Sequence, residues 1–255
     1  MSAVFATEEP RQELCVAHGE FQSRNVFGKV WTKCPACSAE MAEQDRIAAE
    51  QKAREQEAQR WRRRIGGAGI PDRFMDRSLR LYEAETEGQK RALAFAEAYA
   101  ENFDEAMKTG RSAVFIGKPG TGKTHLAVGI GLRIMHRDGR SVMFSTVMRA
   151  IRRIRNTWGR NADESETDAI GALTSVDLLI LDEVGIQCGT ENEKLLIFDV
   201  LNERYERRLP TILLSNLGLE DVKQFLGERV YDRLREDGGE VVTFDWESHR
   251  GKVAA

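Results

Sequence analysis

The sequence predicts an α/β fold with a mostly parallel five-stranded sheet flanked by helices. Three observations lead there. From Arg73 onward, short apolar or β-branched runs alternate with amphipathic stretches. A glycine-rich turn, Gly117-Lys-Pro-Gly-Thr-Gly-Lys-Thr124, lies between one such run and the helix after it. A wholly apolar run ends in an acid pair, Asp177-Leu-Leu-Ile-Leu-Asp182-Glu183.

Composition narrows the class before any element is placed. Apolar residues make up 41% and charged residues 31% of the 255, as in soluble globular chains. Lys+Arg 38 against Asp+Glu 41 gives a net charge of -3, so contact with nucleic acid has to come from a local patch. No apolar run approaches the roughly 18 residues of a membrane span. The first residues lack a basic segment and a long apolar stretch, so a cytoplasmic protein is expected.

Three zones follow one another. Residues 1–37 gather all but one of the cysteines. Residues 38–65 contain neither Gly nor Pro, with acids (Glu40, Glu43, Asp45) at the start and bases (Arg60, Arg62, Arg63, Arg64) at the end. That polarity suits a helix dipole, and sparse apolar positions make it a solvated helical linker. Gly66-Gly-Ala-Gly-Ile-Pro71 breaks it and opens the core, 66–255. Expected strands are Ser112–Ile116, Ser141–Thr146, Asp177–Leu181, Pro210–Ser215 and Glu240–Phe244. Between them, helices are expected over His125–Arg137, Val147–Trp158, Asp163–Leu173, Glu191–Arg207 and Leu219–Leu234. Too little chain follows Asn216 for a full helical lid.

The glycine-rich turn matches the P-loop pattern in its required context, after a strand and before a helix. Gly117, Gly120 and Gly122 let main-chain N–H groups turn inward around a phosphate, with Lys118, Pro119 and Thr121 between them. The helix opened by Lys123, Thr124 and His125 adds its positive N-terminus. Lys123 reaches the β- and γ-phosphates of ATP, and the Thr124 hydroxyl is a ligand for Mg²⁺. Asp182, at the C-terminal end of its strand, holds Mg²⁺, and Glu183 polarises an attacking water. Asn216, at the tip of a third strand, is placed to sense the γ-phosphate.

Two further clusters stand outside this set. Arg149, Arg152, Arg153 and Arg155 surround an apolar stripe of Met148, Ile151, Ile154 and Trp158, with Arg160 beyond. Guanidinium groups at this density follow a phosphate backbone and Trp158 stacks a base, which reads as a single-stranded DNA contact. An amphipathic helix with a solvated basic face has the same pattern. Cys15-x2-His18 and Cys34-x2-Cys37 form two close pairs suited to a tetrahedral Zn²⁺. Little apolar material surrounds them, so a metal supplies stability that packing does not. Lys29, Lys33, Phe21, Phe27 and Trp31 in this zone suit either a protein or a nucleic acid. Cys188 has no partner in the pattern.

From about Gly66 to Trp246 the chain resembles the DnaC/IstB group of AAA+ ATPases, more particularly the DnaC-type replicative helicase loaders. The resemblance rests on Gly69-Ile-Pro71, the phosphate loop, Asp177–Glu183 followed by Val-Gly-Ile-Gln187, Gly227-Glu-Arg229-Val-Tyr-Asp-Arg233-Leu-Arg235, and Phe244-Asp-Trp246-Glu-Ser-His-Arg250. It implies an AAA+ core and ATP hydrolysis dependent on assembly or DNA. It further implies delivery of a DnaB-type hexamer onto single-stranded DNA. Of Arg229 and Arg233, the resemblance makes one a trans finger, Arg233 being favoured, and the other a sensor. It implies that the N-terminal region grips the helicase, while the zinc module's own residues fit helicase or DNA. An IstB-like helper of DNA transposition is the alternative.

Overall fold

A computed structural model describes residues 9–26, 30–159, 162–185 and 191–249. Phe27, Lys29, Arg160, Gln187, Cys188 and Arg250 lie outside the described residues. Two compact units divide the chain, Met1–Arg62 and Arg63–Ala255, the division falling inside one helix.

The first unit holds two small antiparallel pairs, β1 (Arg11–Cys15) with β2 (Gly19–Ser23), and β3 (Asn25–Val26) with β4 (Val30–Trp31). Most of their residues are exposed, and the one buried side chain is the polar Ser23, which is why no apolar alternation marked them in the sequence. Helix α1 (Pro35–Gly67) starts three residues before the expected boundary. Proline suits this first helical position because its missing N–H would have no partner there. Residues 38–60 are exposed throughout.

The second unit carries α2 (Glu87–Glu101), α3 (Phe103–Thr109), β5 (Ala113–Gly117), α4 (Lys123–Arg137), β6 (Val142–Thr146), α5 (Val147–Asn156), α6 (Glu166–Thr174) and β7 (Leu178–Asp182). There follow α7 (Glu191–Glu206), β8 (Thr211–Ser215), α8 (Leu219–Leu226), α9 (Glu228–Arg235) and β9 (Glu240–Phe244). The strands form one sheet in the order β6-β7-β8-β5-β9, every neighbouring pair parallel. All five expected strands are present within a residue or so of their bounds.

Strand alternation sorts the core onto two faces. Val114, Ile116, Leu179, Leu181 and Leu213 bury against residues of α5, α6, α7, α8 and α9. On the other face, Ile180 meets α4 at Gly131, and Phe115 meets Phe95 of α2. A parallel sheet covered on both faces matches the near-continuous apolar runs of its strands.

Three expectations change. The helix expected over Leu219–Leu234 is two helices, broken at Gly227, whose φ of 73° favours glycine. The buried stripe of α5 is Val147, Ala150, Ile151 and Ile154 rather than one ending in Trp158, which lies beyond the helix and is 58% exposed. Helix α2 was not expected, although Thr86 and Gln89 form a complete capping box at its start.

Candidate functional site

The C-terminal ends of β5, β7 and β8 open onto a cleft of about 640 Å³. It is lined by Pro119, Gly120, Gly122, Lys123, Thr124 and His125 of the loop and α4, by Asp182 and Glu183, and by Asn216. Residues far apart in the chain thus meet where an open α/β sheet binds ligands.

Two glycines of the loop are fixed by close approach. A Cβ on Gly117 (φ 131°) would lie 2.1 Å from the Phe244 carbonyl oxygen. One on Gly122 (φ 98°) would lie 2.6 Å from the Tyr82 ring. Lys123 is buried and donates from Nζ to the carbonyls of Gly117 (2.6 Å) and Lys118 (2.7 Å), the loop's own acceptors. The Thr124 hydroxyl donates to Asp182 Oδ2 at 3.0 Å, and the Glu183 N–H to Asp182 Oδ1 at 2.7 Å. Burial pushes the Asp182 carboxyl above its ordinary range, against those two hydrogen bonds. Two hard oxygen donors at this separation fit Mg²⁺. Glu183 is exposed, with φ of 63°, a strained conformation for a residue bearing a side chain. Ser215 Oγ donates to the Val184 carbonyl at 2.6 Å and accepts from Leu217 N at 3.1 Å. Asn216 is thereby held at the cleft between the tips of β7 and β8.

Several cleft residues had no local signal in the sequence. Arg73, Arg77 and Tyr82, from the segment after α1, line it, as does His249. His125 donates from Nε2 to the Ser78 carbonyl at 2.9 Å and sets its ring edge-on to Tyr82. Burial lowers its pKa, which keeps it neutral near pH 7. The Tyr82 hydroxyl and the Trp246 indole N–H both donate to the Thr121 carbonyl, at 3.3 and 2.9 Å. The His249 N–H donates to Gly120 O at 3.0 Å, and Lys118 pairs with Glu247. The closing segment therefore lies directly on the phosphate loop.

Arg229 and Arg233 do not line this cleft. They border a separate shallow depression, where Arg229 is exposed. Arg233 donates to Asn202 Oδ1 at 2.6 Å and stacks over Tyr205. The arginines of α5 are also partly occupied. Arg153 grips Glu164 through two bonds of 2.9 Å, and Arg155 pairs with Glu193 at 2.6 Å. Arg149 donates to the Gly69 carbonyl, and the Trp158 indole donates to Glu166. Among the described residues Arg152 is exposed and makes no ion pair.

In the first unit Cys15, His18, Cys34 and Cys37 bring one ligand atom each within 4.8 Å of one another. His18 Nδ1 lies 3.3 Å from Cys37 Sγ, 3.7 Å from Cys15 Sγ and 3.8 Å from Cys34 Sγ. Zinc bonds of about 2.3 Å to sulfur and 2.0–2.1 Å to nitrogen, at tetrahedral angles, place S and N about 3.5 Å apart. The set fits zinc. The amide of Ala17, with His18, draws the Cys15 thiol down to about 6, and the hydrogen bond between the Cys15 and Cys37 sulfurs (3.4 Å) pushes Cys37 up to about 11.

A phosphate loop after β5, with the acids at the end of β7 and β8 lying between the two strands, is the arrangement of an AAA+-type P-loop nucleotide-binding fold. Comparison of the whole chain is more specific. It belongs to the family of IstB-like ATP-binding proteins, which matches residues 49–254. The chain is 37% identical over 211 residues to the replicative helicase loader DnaC of Buchnera aphidicola subsp. Baizongia pistaciae, covering 83% of this chain and 84% of that protein. Identity and coverage are the same for DnaC of Escherichia coli strain K12. A crystal structure of the DnaC helicase loader superposes with a TM-score of 0.61 at 26% identity, over 68% of this chain and 99% of that one.

Proposed function

We propose that this protein is an ATP-dependent loader that delivers a DnaB-type replicative helicase hexamer onto single-stranded DNA during replication. The observation that carries the reading is 37% identity to DnaC loaders across 83% of the chain. The cleft supports the nucleotide part of that reading, being lined by Lys123, Thr124, Asp182, Glu183 and Asn216.

In this reading Lys123 leaves the loop carbonyls for the β- and γ-phosphates of ATP, while the main-chain N–H groups from Gly120 to Thr124 cradle the chain of phosphates. Thr124 and Asp182 hold Mg²⁺, which neutralises charge on the phosphate oxygens. Glu183 accepts a proton from the attacking water, and Asn216 orients that water or the γ-phosphate. Arg229, rather than the Arg233 favoured from the sequence, serves as the finger for a neighbouring subunit in this reading, because it is exposed while Arg233 is engaged by Asn202 and Tyr205. Hydrolysis then depends on self-association or DNA. Residues 1–37 form a zinc module on the helical tether 38–65, and 66–255 form the ATPase core. Single-stranded DNA follows α5, with Arg152 the most available cation. The setting in this reading is the cytoplasm; among the described residues no helix is long and apolar enough to cross a membrane.

The test is capture of purified replicative helicase, with and without ATP, followed by helicase loading on a single-stranded circle. Loading that requires ATP supports the reading. Binding to long duplex without helicase capture would instead favour the alternative of an IstB-like helper of DNA transposition.

A further inference from the structure

The imidazole of His18 has a carboxylate behind it. Its Nδ1 faces the three sulfurs, while Nε2 lies 3.0 Å from Glu40 Oε1. An ionised carboxylate only accepts hydrogen bonds, so Nε2 carries the hydrogen in this pair. That choice leaves the Nδ1 lone pair aimed into the sulfur cluster. Without it the ring has two available tautomers, and only one presents a donor atom to a metal.

The sequence places the two partners deliberately. His18 sits in the turn between β1 and β2, next to Cys15 at the end of β1. Glu40 follows Cys37 by three residues on α1, which puts both on one face of the helix. Cys34 immediately precedes α1, and its carbonyl accepts from Ser38 N at 2.9 Å. Three thiolates around a divalent cation carry net negative charge, and the N-terminus of α1 favours it. A single metal would therefore tie the β1–β2 turn to the first turns of α1, with the Glu40–His18 bond as a second tie.

We propose that Glu40 is a positioning residue that fixes His18 as an Nδ1 ligand of zinc. This rests on reading Cys15, His18, Cys34 and Cys37 as a zinc set. An exposed Glu–His pair contributes little by itself, because water screens it. As support for a ligand, the same carboxylate sets ring orientation and basicity, and loss of such a partner costs about 10- to 100-fold in metal affinity.

The experiment uses the full chain and its Glu40→Ala and Glu40→Gln variants. Zinc affinity is measured by competition with a chromophoric chelator, and ¹⁵N-histidine spectra assign the tautomer, with His18→Ala identifying the signals. Wild type should take up one zinc, with His18 metal-bound at Nδ1 and protonated at Nε2. Glu40→Ala should weaken zinc about 10- to 100-fold while keeping stoichiometry. Glu40→Gln, whose amide oxygen still accepts, should recover much of that loss. Zinc uptake with unchanged affinity in Glu40→Ala, or ligation through Nε2, would overturn the role of Glu40 alone. Absence of zinc uptake by wild type would overturn the metal reading and this inference with it.

Discussion

The indole N–H of Trp246 donates to the main-chain carbonyl of Thr121 at 2.9 Å, across 125 positions of sequence. Thr121 lies in the middle of the phosphate loop, so a residue after the last strand helps hold the loop's shape. Phe244 packs beside Trp246, with ring centroids 4.9 Å apart, and its carbonyl accepts from Lys118 N. Trp246→Ala should destabilise the core by about 3–5 kcal/mol, as expected for a buried tryptophan. Trp246→Phe keeps most of the ring but loses the N–H, and should cost about 0.5–1.5 kcal/mol. Both variants should also weaken ATP binding. Urea denaturation and titration with a fluorescent ATP analogue measure the two effects, and unchanged nucleotide affinity in both would remove Trp246 from the loop's support.

Glu183 combines an exposed side chain with a left-handed backbone, φ 63°. A side chain in that region costs about 1–2 kcal/mol, partly offset by the freedom glycine loses on folding. Glu183→Gly is therefore expected to raise stability by about 0.5–1 kcal/mol while abolishing turnover. Glu183→Gln should keep ATP binding and lower the hydrolysis rate about 10²–10⁴-fold. Phosphate release and equilibrium unfolding, measured on both variants, test whether strain is retained here for chemistry.

The phosphate loop and all five core strands were legible because their signals are local. Apolar runs, glycine spacing and a strand ending in Asp182-Glu183 need no knowledge of distant chain. What escaped was non-local or lightly buried. The strands β1 and β2 are mostly exposed, and the one residue they bury is the polar Ser23, so burial left no apolar alternation in the sequence. Tyr82 and Trp246 act on Thr121 from opposite ends of the core, and neither shows a motif. The arginines of α5 looked free because Glu164 and Glu193, their partners, come from outside the helix.

Arg204 is fully buried and is matched by main-chain carbonyls. It donates to the carbonyls of Leu173, Val176, Asp177 and Pro210 and to Thr211 Oγ1. These groups sit where α6 ends and where β7 and β8 begin. Burial lowers its pKa to about 9, which leaves it charged at neutral pH. Arg204→Leu would leave up to five buried acceptors without this donor, each costing about 1–3 kcal/mol, so a loss of about 5 kcal/mol or more is expected. Arg204→Lys supplies charge without the fork of donors and should restore only part. Thermal unfolding of the two variants against wild type measures the difference.

Single-strand contact through α5 should depend most on Arg152. Arg153 and Arg155 already hold Glu164 and Glu193, and a phosphate would have to displace those carboxylates before gaining them. Arg153 holds Glu164 below the usual carboxylate range, so that pair outlasts an ordinary surface glutamate as the pH falls. Arg152→Ala is therefore expected to reduce affinity for an oligothymidine strand more than Arg153→Ala does. Removing one phosphate contact should flatten the dependence of log affinity on log salt by about 0.7. Glu164→Gln should raise affinity, because it releases Arg153 without changing the helix. Fluorescence anisotropy at several salt concentrations separates these outcomes. Equal losses in Arg152→Ala and Arg153→Ala, with no gain in Glu164→Gln, would mean that the acid pairs do not restrain this face of α5.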